Sequence, residues 1–159
     1  GAPDEIVSLH DLLEDVVRGL EPALARRASL TGSDALVRGD AMLLETMFSN
    51  ALNNALKFGD RVVIGLKVFA GEACITVEDD GPGLEASERE RVFEPFYRGR
   101  DALRDRQPGH GLGLALVRHI AESHGGSAAF EARDGPGARL CIRLPEMISE
   151  PFSGPSAAP

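Results

Sequence analysis

Two asparagines and a lysine recur at helical spacing in the middle of the chain. Asn50, Asn54 and Lys57 stand at positions i, i+4 and i+7, so on a helix they fall in one narrow stripe. An asparagine oxygen is a neutral hard ligand of the kind that Mg²⁺ accepts beside water, and a lysine ammonium balances phosphate charge. The stripe predicts a site for a metal-bound phosphate, although an ordinary amphipathic helix with a polar border gives the same pattern.

A second candidate site is the acidic turn EDDGPG at residues 78–83. Its two glycines let the backbone turn sharply and let a ligand come close. An acceptor carboxylate at the end of the preceding strand would suit an exocyclic amine, which adenine has where guanine presents a carbonyl. A plain acidic turn is the alternative for this segment taken alone.

The third candidate site is the glycine-rich segment GHGLG at residues 109–113, directly before a predicted helix. Glycine N–H groups at a helix N-terminus bind anionic phosphate. The segment does not follow a strand of a βαβ unit, so it fails the context test for a dinucleotide-binding motif. The chain also has no P-loop motif GxxxxGK[ST] and no protein-kinase HRD and DFG set.

Hydrophobic periodicity and turn residues predict the elements that hold these segments. Helices are expected at residues 9–27 with a kink or break at Pro22, at 41–58, at 86–92 and at 112–124. Strands are expected at residues 5–8, 29–31, 35–38, 61–69, 73–78, 127–132 and 138–144. Because the strands come in hairpins, the pattern favours an α+β fold, a two-layer sandwich in which about three helices cover one face of a mixed β-sheet.

Length and charge limit the classes of function. The 159 residues suffice for one domain, predicted at residues 1–145, and the Pro-, Ser- and Ala-rich residues 146–159 predict a disordered tail. A net charge of −8 opposes binding to nucleic acid or to an anionic membrane surface, and no apolar run is long enough to span a bilayer. Cys74 and Cys141 lie in apolar strand-like runs without a CxxC spacing, which predicts buried thiols and a cytoplasmic location.

The segments together closely resemble the conserved boxes of bacterial sensor histidine kinases. Residues 48–58 (FSNALNNALKF) resemble the N box, 77–84 (VEDDGPGL) the first glycine box, 92–98 (VFEPFYR) the F box and 109–117 (GHGLGLALV) the second glycine box. Order and spacing agree, and the resemblance extends over about residues 6–145. It implies the Bergerat-type ATP-binding fold that is shared with type II topoisomerases, MutL and heat-shock chaperones.

The resemblance also implies a role for each matched residue. Asn54 would bind Mg²⁺ with Asn50 beside it, and Asp79 would accept a hydrogen bond from the adenine amine. Lys57 and Arg98 would contact phosphates, Gly81 and Gly83 would shape the base pocket, and Tyr97 would lie beside the nucleotide. Residues 98–109 would form a lid, closed over the phosphates by the glycine loop of Gly109, His110, Gly111, Leu112 and Gly113. His110 and Ala138 stand where the family often has Thr or a small residue, and His110 is either a bystander or a pH-dependent phosphate contact.

The implied reaction is phosphoryl transfer from Mg-ATP to a histidine on a separate dimerisation and phosphoacceptor domain, and then to a response-regulator receiver domain. His10 superficially resembles the acceptor but lies in the segment that matches the family's opening strand and helix. The chain alone is therefore not expected to phosphorylate itself, whether or not a longer parent protein is membrane-anchored.

Three other functions are compatible with parts of this sequence pattern. An anti-sigma-factor serine kinase is opposed by the F box at residues 93–98, and a topoisomerase or mismatch-repair ATPase by the acidic charge and small size. A degenerate module that only binds nucleotide or a partner is disfavoured by the intact Asn54, Lys57 and Asp79.

Overall fold

A five-stranded mixed β-sheet forms the centre of the computed structural model, which describes residues 4–97, 113–133 and 135–147. Its strands are β2 (Ala28–Gly32), β4 (Val62–Phe69), β5 (Glu72–Asp79), β6 (Ser127–Glu131) and β7 (Arg139–Pro145). Their order in the sheet is β2-β4-β5-β7-β6, in which β2 pairs parallel with β4 and the other pairs are antiparallel. The predicted hairpins β4–β5 and β6–β7 are confirmed.

Helices cover one face of this sheet. They are α1 (Leu9–Arg18), α2 (Pro22–Ala25), α3 (Ala41–Phe58) and α4 (Gly113–Ser123). Alternate residues of the central strands, such as Ile64 and Ile75, are 1% exposed or less and join the helix side chains in one core. The predicted α+β two-layer sandwich is confirmed. Within the described residues, no helix is long and apolar enough to cross a membrane.

A second, two-stranded sheet lies outside the main one. In it β1 (Glu5–Ser8) pairs antiparallel with β3 (Leu36–Gly39). Both strands were predicted as extended, but their pairing joins Ile6 with Arg38, a contact across the chain that local periodicity does not reveal.

Two predicted helices differ from the structure. The helix expected over residues 9–27 ends at Arg18, and Pro22 starts α2, because a proline lacks the N–H that the first helical turn leaves unpaired anyway. The break was predicted, but one helix continuing to residue 27 was wrong. The short helix expected at residues 86–92 is instead two 3₁₀ turns, Ala86–Glu88 and Arg91–Phe93.

His124 links the end of α4 to the start of α3. Its Nε2 accepts a hydrogen bond from the Asp40 backbone N–H at 3.1 Å, and its Nδ1 lies 2.9 Å from the Ile120 carbonyl oxygen. This pattern requires the neutral ring with the proton on Nδ1. Asp40 is also the N-cap of α3, because its Oδ1 accepts from the amides of Met42 and Leu43.

We expect His124→Ala to lower the free energy of unfolding by about 1–3 kcal/mol, since it leaves polar groups unpaired at this link. Urea denaturation monitored by circular dichroism measures the loss. His119→Ala is the matched control because His119 is exposed on the same helix, and its effect should stay within about 0.5 kcal/mol. Equal losses in the two variants would contradict a role for the His124 link.

Candidate functional site

The predicted polar stripe lies on α3. Asn50, Asn54 and Lys57 are half-buried, whereas Met47 and Ala51 on the adjoining face are fully buried. Neither amide side chain hydrogen-bonds to another residue in the part of the chain that the structure describes. Lys57 Nζ lies 5.7 Å from the centre of the ring of the adjacent Phe58. The stripe therefore presents two open amide oxygens and an ammonium group along one line.

The first residue of α4 lies beside this stripe. A Cβ at Gly113 would be 3.8 Å from Asn50 Oδ1, so the N-terminal N–H groups of α4, which have no partner within the helix, start next to Asn50. Of the predicted phosphate loop and lid, only Gly113 is described. Arg98, Gly109, His110, Gly111 and Leu112 lie outside the described residues, and their roles stay predictions.

Asp79 is the last residue of strand β5, and its carboxylate is buried in the site. It is 5% exposed, and no other described charged side chain is buried. Its Oδ1 accepts a 2.8 Å hydrogen bond from the Gly81 amide, and the Ala138 amide also acts on the carboxylate as a donor. The backbone is held on both sides, because the Asp79 N–H donates to Ala138 O at 3.0 Å and Arg133 donates to its carbonyl at 2.7 Å.

Burial raises the pKa of Asp79 above its ordinary value of 3.8, and the neighbouring charge of Asp80 adds to the rise. The amides of Gly81 and Ala138 and the charge of Arg133 counteract only part of it. The carboxylate is thus under-solvated in the free protein, and a hydrogen-bond donor entering the site would relieve part of that cost.

Asp80 faces the opposite way and locks the turn to the end of α3. Its Oδ1 accepts from the amides of Asp60 at 2.7 Å and Arg61 at 3.0 Å. These bonds, that of Arg61 first, hold the pKa of Asp80 below 3.8. The lock brings the backbones so close that a Cβ at Gly59 would lie 2.8 Å from both Asp79 Cβ and Asp80 Oδ1.

Arg27 caps the C-terminal end of α3. Its guanidinium donates to the carbonyl oxygens of Leu56, Gly59 and Asp60 at 2.7, 2.6 and 2.8 Å. The Leu56 carbonyl is one of those that a helix end leaves without partners, the carbonyls of Gly59 and Asp60 follow the helix, and Lys57 lies next to Leu56. Sequence reasoning missed Arg27, because its partners are 29 to 33 residues away and no local motif marks it.

Close backbone approach explains the two glycines of the acidic turn. A Cβ at Gly81 would lie 2.4 Å from the carbonyl oxygen of Phe58, and one at Gly83, whose φ is +81°, would lie 2.8 Å from Gly137 O. Gly137 in turn has φ +103° and touches the Asp79 carbonyl, a role that the sequence analysis did not assign. The turn is wedged between α3 and the β6–β7 connection, and its predicted part in a base pocket stays a prediction.

Arg118 of α4 anchors the segment that leads to residue 97. Its guanidinium carbon lies 3.8 Å from the centre of the buried Phe93 ring, and its Nη2 reaches Glu90 at 3.2 Å and Ala128 O at 2.9 Å. Phe93 also packs on Phe130, with ring centres 5.5 Å apart. The sequence analysis did not single out Arg118, since its partners lie on two other elements, the second 3₁₀ turn with its preceding residue and β6.

Tyr97 is half-buried at the end of this segment. Its hydroxyl donates to Glu88 at 3.1 Å, and the guanidinium carbon of Arg91 lies 5.1 Å from the centre of its ring. These contacts hold the ring against its own turn, and its predicted place beside a nucleotide is untested.

Comparisons with known proteins identify what the site resembles. Residues 39–148 match the model of the family described as histidine kinase-, DNA gyrase B-, and HSP90-like ATPase. The sensor histidine kinase GtrS of Pseudomonas aeruginosa is 37% identical over 145 residues, 90% of this chain and 29% of that protein. CpxA of Escherichia coli, also a sensor histidine kinase, is 41% identical over 109 residues, 67% of this chain and 24% of that protein. The chain thus spans under a third of these relatives' length.

Solved structures agree. The mycobacterial sensor histidine kinase MprB superposes with a TM-score of 0.76 at 30% identity, over 90% of this chain and 97% of that chain. The ATP-binding domain of PrrB from Mycobacterium tuberculosis does so with a TM-score of 0.73 at 31% identity, over 91% and 98%.

We expect the two adjacent carboxylates to affect stability with opposite dependence on pH. Because the pKa of Asp79 is raised in the folded protein, its charge lowers the free energy of unfolding as pH rises above 3.8. The free energy of unfolding of Asp79→Asn, relative to that of the wild type, should therefore increase from acid to neutral pH. Because the pKa of Asp80 is lowered in the folded protein, its charge stabilises the fold above pH 3.8, and this stabilisation is lost as pH falls through the folded pKa. The loss of free energy of unfolding in Asp80→Asn should therefore be smaller in acid than at neutral pH.

Chemical denaturation of both variants and the wild type between pH 3 and pH 7 measures these differences, and each variant is the control for the other. The same sign of pH dependence in the two variants would contradict the assigned environments.

Proposed function

The chain belongs to the family of histidine kinase-, DNA gyrase B-, and HSP90-like ATPases, and on that premise we propose that it binds Mg-ATP and delivers the γ-phosphate to a histidine. Within the family it is the catalytic ATP-binding domain of a sensor histidine kinase. The accepting histidine would belong to a dimerisation and phosphoacceptor domain, and an aspartate of a response-regulator receiver domain would receive the phosphoryl group next.

The observation that carries the proposal is the buried Asp79 carboxylate at the end of β5, whose pKa burial raises. Adenine presents an exocyclic N–H donor that fits this acceptor, whereas guanine presents a carbonyl oxygen at the same place, which would leave two acceptors facing each other. A buried acceptor without its donor is costly, so the site should discriminate strongly in favour of adenine.

The amides of Asn54 and Asn50 fit a hydrated Mg²⁺, because their oxygens are neutral and open in the described part of the chain. Bound there, Mg²⁺ would supply charge neutralisation to the phosphates. Lys57 lies one turn beyond Asn54 on the same stripe and adds a positive charge for the phosphates. We propose Arg98 as the second cation.

The chain's part in the reaction is positioning and charge. Phosphoryl transfer asks little covalent chemistry of the protein, so holding the γ-phosphate in line with the acceptor supplies much of the rate. Asp80 fixes the end of β5 to the residues that follow α3, and Arg27 caps that end of the helix. These bonds keep the phosphate-facing and adenine-facing groups at a constant separation. We assign no general base to this chain.

We expect calorimetric titration of the chain with ATP and Mg²⁺ to show one site with a dissociation constant between micromolar and sub-millimolar, about −5 to −8 kcal/mol. GTP should bind much more weakly. Asp79→Asn should abolish ATP binding, because its amide adds a donor where the adenine amine already donates.

Asn54→Ala should remove the effect of Mg²⁺ on the affinity. Asn53→Ala is the matched control, since Asn53 is exposed on the same helix, and it should leave binding unchanged. If the folded wild-type chain binds no ATP at millimolar concentration, the proposal is wrong. A degenerate interaction module would then be the better description of its function.

We also expect no phosphohistidine on the chain after incubation with Mg-ATP labelled in the γ-position. His10 is part of α1 within the domain, where its Nδ1 lies 3.5 Å from Glu14. Acid-labile label in the wild type that disappears in His10→Ala would show that His10 is an acceptor and would overturn this assignment.

A further inference from the structure

Two cysteines meet on the face of the main sheet that the helices leave open. Cys74 on β5 and Cys141 on β7 lie with their sulfurs 3.2 Å apart. Ala73 and Ile75 on either side of Cys74 point into the core, so Cys74 points to the opposite face. In the β5–β7 register Cys74 is opposite Arg143 and Cys141 is opposite Thr76, which makes the cysteines diagonal neighbours on that face.

The two thiols differ in access. Cys74 is half-buried, whereas Cys141 is 4% exposed. Burial, followed by the neighbouring thiol, raises the pKa of Cys141 to about 11. At neutral pH Cys141 is therefore a protonated, shielded thiol that a reagent in solution reaches poorly, while Cys74 is the one that solvent reaches.

A lysine and an arginine stand opposite Cys74 on the two neighbouring strands. Lys67 of β4 and Arg143 of β7 are its directly opposite partners, and such side chains have Cβ atoms about 4.5–5.5 Å apart. Arg143 also hydrogen-bonds to the Cys141 sulfur. Two acidic residues share this face, Glu131 at 3.7 Å from Arg143 and Glu72, which lies two residues before Cys74 on β5.

We propose that Cys74 and Cys141 are an oxidative modification site at which hydroperoxides generate a reversible disulfide. Cys74 sulfur attacks the peroxide, the O–O bond breaks, and Cys74 sulfenic acid and water form. Cys141 sulfur then attacks the sulfenic sulfur, the S–OH bond breaks, and a second water leaves with the Cys141 proton. In total two thiols and one H₂O₂ give one disulfide and two waters, and a dithiol reductant restores the thiols.

The geometry allows the bond within one chain. The sulfurs need to approach by only about 1 Å to reach the disulfide length of about 2.0 Å, which rotation of exposed-face side chains supplies. The burial of Cys141 disfavours a bond to a second molecule. This site is independent of the proposed nucleotide site, because the Asp79 carboxylate points to the other face of the same strand.

The first test treats the wild-type chain with a small excess of H₂O₂ and maps its peptides without reduction. The expected product is a Cys74–Cys141 cross-linked peptide that dithiothreitol removes. The oxidised chain should melt about 5–10 °C above the reduced chain, because the bond closes a long loop in the unfolded state. Its affinity for ATP should be unchanged. Absence of the cross-link in folded protein, or cross-links only between molecules, would overturn the proposal.

The second test assigns the two roles. In Cys141→Ser, peroxide should leave a sulfenic acid on Cys74 that dimedone traps, and in Cys74→Ser no trapping should occur at Cys141. Trapping at Cys141 in Cys74→Ser, or no trapping at Cys74 in Cys141→Ser, would contradict the mechanism.

Discussion

The end of β5 and the end of α3 meet with their backbones in contact, and the rest of the candidate site depends on that junction. Glycine is required on both sides of it, since a side chain at Gly59 or Gly81 would overlap backbone or Asp79 atoms. Asp80 closes the junction with two hydrogen bonds from backbone amides, and Arg27 caps its helix side with three hydrogen bonds to backbone carbonyls. Without this junction, the distance and orientation between the amide stripe of α3 and the carboxylate of β5 would not be fixed.

Neighbouring residues at this junction carry the same charge in opposite environments. Asp79 is buried, and burial raises its pKa, whereas Asp80 is exposed with backbone donors around one oxygen. Burial of the Asp79 carboxylate destabilises the free protein and suits a ligand that donates a hydrogen bond, whereas Asp80 stabilises the local structure. Sequence alone shows two equivalent acids, and only the direction of alternation along β5 separates them.

Local patterns predicted the elements whose cause is local. The asparagine and lysine spacing on α3, the Asp40 cap and both hairpins follow from residues within a few positions of one another. Arg27 and Arg118 bind partners that are distant in sequence, and Cys74 meets Cys141 in the same way. No short segment of sequence contains both partners, so local patterns could not predict these contacts. The single helix predicted at residues 86–92 failed, because contacts such as Arg118 on Phe93 favour two tight turns there.

The β2–β4 pairing and the Arg27 cap both come from residues ahead of the segment by which the family is recognised, which starts at residue 39. A chain cut to that segment would leave β4 as an edge strand with unpaired backbone groups, prone to pair with other molecules. It would also uncap α3 next to Lys57. The smallest autonomous folding unit is therefore larger than the signature that identifies it.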